Sequence, residues 1–106
     1  MIRRADIKKI ATHYGLESQL KMLAEECSEL TQAALKKNRL ITPLKGQRVH
    51  CENAKFVTDE NLAEEIADVE IMIEQIKFLM PEIKKRISEL TDYKIDRQIR
   101  RMEEEP

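Results

Sequence analysis

Tryptophan is absent from this chain, glycine and cysteine occur twice each, proline three times, and aromatic residues make up only 4%. So little glycine and proline leaves few residues for the tight turns that join short strands. Sheets also favour aromatic and β-branched residues, whereas this chain is rich in Glu, Lys, Leu, Ile and Ala, which favour helices. Cys27 and Cys51 are too few and too widely spaced for a disulfide framework or a zinc motif. Cys27 falls on an apolar helical stripe, where a small buried thiol is expected. No apolar run approaches the length that spans a bilayer, and Met1-Ile2-Arg3-Arg4 is not followed by an apolar signal core. A cytoplasmic setting without a membrane partner is therefore expected. Neither sign of charge dominates, with 19 basic against 20 acidic side chains and a net charge of −1. Nothing global attracts a nucleic acid polymer, so local placement of charge has to carry the function.

What remains is a chain of 106 residues, 37% of them charged, which fits a single domain over 1–106. A chain this short buries a limited share of its surface, which makes association with further copies an expectation.

The apolar pattern predicts helices over 2–13, 16–37, 59–80 and 82–102. In the second, Leu16, Leu20, Leu23, Cys27, Leu30 and Ala34 step by 4, 3, 4, 3, 4 and share one face. In the third, Leu62, Ile66, Val69, Ile73, Ile76 and Met80 repeat that spacing. Gly15 marks a sharp joint, Thr58 or Asp59 a cap, and Pro81 the end of the third helix or the first turn of the fourth. Between the central helices, 38–58 loses the pattern and reads as a long loop. The last helix changes phase between Leu90 and Ile95, which predicts a joint near Thr91-Asp92, and the Glu103-Glu104-Glu105 tail is expected to fray. The fold expected is an all-α bundle of four to five helices, completed by oligomerisation. Met22, Met72 and Met80 read as packing within it.

One segment echoes another. Leu23-Ala24-Glu25-Glu26-Cys27-Ser28-Glu29-Leu30 matches Leu62-Ala63-Glu64-Glu65-Ile66-Ala67-Asp68-Val69, each copy at the same phase of its stripe. At about 100° per residue, Glu26 points beside Met22, Leu30 and Ala33, and Glu65 beside Leu62, Val69 and Met72. Glu25 and Glu64 turn away and read as solvated charge. Carboxylates at the edge of an apolar face are costly unless something compensates them. Two acids at i and i+3 meet on one face and repel. Two such pairs on helices that pack together gather Glu26, Glu29, Glu65 and Asp68, and a divalent cation resolves the repulsion. Hard oxygen ligands favour Mg²⁺ or Mn²⁺ over zinc. A di-iron bundle would want Glu-x-x-His, and neither His13 nor His50 follows a Glu by three.

The words Glu26-Cys27-Ser28-Glu29 and Glu65-Ile66-Ala67-Asp68 resemble the E-x-x-E and E-x-x-D signature of the MazG-like nucleotide pyrophosphohydrolases. The similarity extends to Glu25–Ala33, to Asn61–Val69 and to the basic run Lys94–Arg101, and spans 14–102. The resemblance implies hydrolysis of a nucleoside triphosphate to the monophosphate and pyrophosphate, with Mg²⁺, in a homo-oligomeric helical bundle. By motif match, Glu26, Glu29, Glu65 and Asp68 are the expected metal ligands and catalytic residues. The stretch between Glu29 and Glu65 is longer than in compact members of that family, and no tryptophan is present to stack on a base.

On that reading, Lys94, Arg97 and Arg101 lie at i, i+3 and i+7 on one face and are the expected phosphate partners. Gln19, at nearly the wheel angle of Glu26, and Asn61, four residues before Glu65, are expected near base or sugar. Tyr14, Phe56 and Tyr93 are the candidates for stacking on the base. Heptad spacing on two helices leaves an apolar seam for a second chain, hence a dimer or tetramer. The competing readings are a helical coiled-coil interaction module and a regulator that binds nucleotide without cleaving it.

Overall fold

The computed structural model describes residues 2–41 and 52–105. Four helices account for nearly all of them: α1 (Arg4–Tyr14), α2 (Leu16–Ile41), α3 (Glu52–Leu79) and α4 (Pro81–Glu104). No strand occurs among the described residues, and none of these helices is long and apolar enough to cross a membrane.

The joints are where backbone chemistry demands them. Gly15 takes φ 84°, a left-handed value that side chains oppose. A Cβ there would meet nothing within 4 Å, so the dihedral rather than space selects glycine. Its N–H donates to the Ala11 carbonyl at 2.8 Å, and its carbonyl accepts from the Gln19 N–H at 3.1 Å. One residue thus closes α1 and opens α2. Pro81 opens α4, where its missing N–H costs nothing.

Both central helices run past their expected ends. Residues 38–41 and 52–58, expected in a loop, are helical, while 42–51 lie outside the described residues. Neither Thr58 nor Asp59 caps α3. The Thr58 hydroxyl donates to the Lys55 carbonyl inside the helix at 3.0 Å, and Asp59 accepts from Lys37 Nζ at 2.6 Å. Periodicity hides this first part of α3 because Phe56 and Val57 are both exposed, so no buried stripe announces it. Nor is there a joint at Thr91-Asp92. Thr91 Oγ1 donates to the Ile87 carbonyl at 2.7 Å, and α4 continues through to Glu104, including the expected frayed end. The change of phase marks a change of surroundings instead: Ile83, Ile87 and Leu90 are half-buried, whereas Ile95, Ile99 and Met102 are exposed.

Two contacts define how α2 meets α3. Gln19 reaches Gln75, and Lys37 reaches Asp59. Ascending one helix descends the other, so the pair is antiparallel, and the register that sets Gln19 opposite Gln75 sets Glu26 opposite Asp68 and Glu29 opposite Glu65. Helix α1 packs across α3 and also touches α2, while α4 packs against α3 alone. The buried apolar residues are Ile7, Ala11, Ala33, Val69, Met72 and Ile76. Each large member of that set contributes roughly 1.5–3 kcal/mol.

The seam between α2 and α3 is rotated from the expected stripes. Leu20, Cys27 and Ala34 are exposed, as are Ile66 and Ile73, whereas Gln19, Ala33, Met72 and Gln75 are buried. Cys27 is therefore not the buried thiol the stripe suggested. Glu26 and Glu65 lie half-buried at this seam, while Glu29 and Asp68 stay exposed.

Candidate metal centre

Glu26 and Glu29 lie one turn apart on α2, and Glu65 and Asp68 one turn apart on α3. Antiparallel pairing brings the two turns together at mid-seam. One carboxylate oxygen from each of Glu26, Glu29 and Glu65 falls within 4.8 Å of the others. Asp68 lies at the edge of that triad, outside the 4.8 Å group, yet its charge bears on both Glu26 and Glu65.

The electrostatics of this cluster are unfavourable as the chain stands. Glu26 and Glu65 are half-buried, and Oε2 of each is shielded from solvent with no hydrogen-bond partner among the described residues. An unsatisfied buried carboxylate oxygen is costly. Desolvation, followed by the charge of Glu29 and then of Asp68, raises the Glu26 carboxyl above the usual 4.5. Glu65 is raised by desolvation, then by the nearby Glu29 carboxylate, then by the charge of Asp68. Among the described residues the ion pairs are Arg3–Asp6, Lys37–Asp59, Lys77–Glu74 and Arg86–Glu89, none of which reaches these four acids. Among the described residues, then, no Lys or Arg neutralises these acids, the ordinary fate of carboxylates on a helix surface.

Two orphaned oxygens in an all-carboxylate donor set suit a hard divalent cation, which would reverse both the repulsion and the desolvation cost. Glu26, Glu29 and Glu65 are the residues able to hold it, with Asp68 one turn away.

The remaining sequence-predicted residues divide. Asn61 is half-buried and lines a shallow depression with Phe56, Val57, Glu60 and Glu64, one turn before Glu65. Gln19 is 4% exposed and donates from Nε2 to Gln75 Oε1 at 2.6 Å, so its amide faces α3 and not an open cleft. Lys94 and Arg101 are exposed, and Arg97 lies over the Tyr93 ring at 5.7 Å. Helix α4 packs against α3 and not α2, and among the described residues no ion pair joins these three cations to the four acids. Tyr14 stacks edge-on with His13 and stands 59% exposed.

Gln75 is the seam residue that periodicity passes over, since it belongs to no apolar stripe. Its signal was its spacing: it follows Asp68 by seven residues, as Glu26 follows Gln19.

Comparison with protein-family models, with curated proteins and with solved structures returned no match.

Proposed function

We propose that this chain is a Mg²⁺-dependent nucleoside triphosphate pyrophosphohydrolase of MazG-like type, converting a ribo- or deoxyribonucleoside triphosphate to the monophosphate and pyrophosphate. The convergence of Glu26, Glu29 and Glu65, with two oxygens left unsatisfied, on helices that carry E-x-x-E and E-x-x-D carries the reading. A role in clearing nucleotides from the cytoplasmic pool accompanies the family resemblance.

The reaction breaks the α–β anhydride and needs neutralised phosphates, a positioned water and a stabilised leaving group. Glu26, Glu29 and Glu65, with Asp68 at their edge, would hold Mg²⁺ or Mn²⁺, which when bound would supply phosphate neutralisation and Lewis acidity. A carboxylate of this set not fully engaged as a ligand accepts the proton of the attacking water. The depression lined by Phe56, Asn61 and Glu64 would offer the exposed Phe56 ring and the Asn61 amide to a base or sugar.

The functional unit is a homo-oligomer, a dimer or tetramer. The chain leaves Leu20, Ile66, Ile73, Ile95, Ile99 and Met102 exposed, more apolar helical surface than one small domain usually shows. Its radius of gyration is 17.9 Å, against about 13 Å for a compact domain of 100 residues. Lys94, Arg97 and Arg101 then reach the phosphates from a neighbouring chain, as bidentate or point-charge partners.

The test is pyrophosphate release from a panel of ribo- and deoxyribonucleoside triphosphates with Mg²⁺, with Mn²⁺ and with EDTA. Metal-dependent release with monophosphate as co-product is expected. No release from any triphosphate by folded protein contradicts the proposal, and saturable nucleotide binding without release would make the chain a regulator.

A further inference from the structure

Apolar contacts along α2 and α3 repeat every three or four residues, and the Leu-Ala-Glu-Glu echo makes the two helices alike. Such contacts are non-directional, so by themselves they tolerate the helices sliding by a turn. The carboxylate cluster does not tolerate it. A one-turn slide separates Glu26 from Asp68 and Glu29 from Glu65 by about 5 Å.

One element of the seam does discriminate register. Gln19 and Gln75 are 4% and 2% exposed, and Gln75 is the largest fully buried side chain among the described residues. Gln19 Nε2 donates to Gln75 Oε1 at 2.6 Å, across 56 residues of sequence. The Gln75 amide nitrogen turns to the Met72 sulfur at 3.5 Å, a weak acceptor within its own helix. A one-turn slide sets the Gln19 amide against Ile71 and Met72 or Phe78 and Leu79, and the Gln75 amide against Leu16 or Met22 and Leu23, which offer its polar atoms no side-chain partner. The pair stands seven residues from Glu26 on α2 and seven from Asp68 on α3, so the register it enforces is the one the acids need.

We propose that the buried Gln19–Gln75 amide pair is the register pin of the α2–α3 seam, fixing which carboxylates face each other. Gln19 thereby acts as a positioning residue and not as a contact to base or sugar. The register claim stands on the amide pair alone; its consequence for metal affinity rests on the carboxylate site proposed above. Lys37–Asp59, at the other end of the acids, is half exposed on its Asp59 side and long-armed, and discriminates register less.

The experiment compares wild type with Gln19→Leu, Gln75→Leu and the double variant. Nitroxide labels go on the exposed positions Lys21 and Lys55, in a Cys27→Ser, Cys51→Ser background diluted with unlabelled chain. Pulsed dipolar spectroscopy then reads the distance along the seam, and Mn²⁺ titration reads the site. Each single variant strands one buried amide and is expected to lower the denaturation midpoint more than the double variant, which keeps an apolar seam. The double variant is expected to fold, to show a broadened distance or a second population displaced by about 5 Å, and to bind Mn²⁺ about tenfold or more weakly. A double variant with the single narrow wild-type distance overturns the proposal, whatever the metal does. If the distance moves but wild type binds no Mn²⁺, the register pin stands and the carboxylate reading fails.

Discussion

Helices α3 and α4 meet end to end at Pro81 and have 28 and 24 residues, yet they use their apolar residues in opposite ways. Helix α3 is clasped by α1 and α2 and buries Val69, Met72, Gln75 and Ile76. Helix α4 buries no residue fully, keeping Ile83, Ile87 and Leu90 half-buried, and its second half shows Ile95, Ile99 and Met102 to solvent beside a row of cations. Along α3, unfavourable groups are forced inward: Glu65 with an orphaned oxygen and the buried Gln75 amide. Along α4, favourable groups are left outward. A seam that holds charge it cannot neutralise and a helix that holds apolar surface it cannot bury both call for something the single chain lacks. On the function proposed above, a cation would answer the seam and a second copy α4.

The contrast breaks hardest at the acids. Glu65→Gln and Asp68→Asn are expected to lower pyrophosphate release by at least about 100-fold while circular dichroism shows unchanged helix content. The same Glu65→Gln chain, without metal, is expected to melt at a higher temperature than wild type, because it removes one charge from a repelling cluster. A lower melting temperature would mean that the cluster is not strained. On α4, Ile95→Glu with Ile99→Glu is expected to shift the mass in solution, by light scattering, to that of a single chain of 12.5 kDa. Wild type that is already monomeric contradicts the oligomer. Arg97→Ala is expected to raise KM about tenfold, the worth of a charge-assisted hydrogen bond to phosphate of about 1.5–3 kcal/mol. An unchanged KM removes Arg97 from the site.

Two smaller effects sharpen the picture of the seam. The folded chain holds protons on Glu26 and Glu65 more tightly than the unfolded chain does. Their contribution to stability is therefore fully present below the ordinary value of 4.5 and is lost as pH rises through the raised folded values. Melting of the metal-free protein followed against pH should show this decline from 4.5 upward, and saturating Mg²⁺ should oppose it, since metal binds the ionised form. A melting temperature indifferent to pH and metal would count against the cluster. Lys37→Ala removes a mostly surface ion pair and is expected to cost no more than about 1 kcal/mol in chemical denaturation.

The all-α class was legible in composition, and Gly15 and Pro81 were legible as joints because each answers a backbone requirement that few other residues meet. The ends of α2 and α3 were not, since Asn38 to Ile41 and Phe56 to Thr58 carry no buried stripe to read. The acids were found through the echo of Leu-Ala-Glu-Glu, a repeat visible only in sequence. Their depth was underestimated because the wheel assumed that the strongest apolar stripe faces the core. Here Leu20, Cys27, Ile66 and Ile73 lie outside the seam, and a line through Gln19, Glu26 and Ala33 lies within it. Stripe strength names the face that avoids water; it does not say whether the neighbour comes from the same chain. That ambiguity also explains Gln19, which its wheel angle placed correctly beside Glu26 but which turns to Gln75 rather than to an open cleft.

The most direct measurement is Mn²⁺ titration of the folded protein, followed by loss of the free-ion electron paramagnetic resonance signal, for wild type and for Glu29→Gln with Glu65→Gln. The account predicts saturable binding by wild type, accompanied by a rise in melting temperature, and neither response in the variant. No binding by folded wild type, or equal binding by both, would contradict the assignment of the α2–α3 seam as a metal centre.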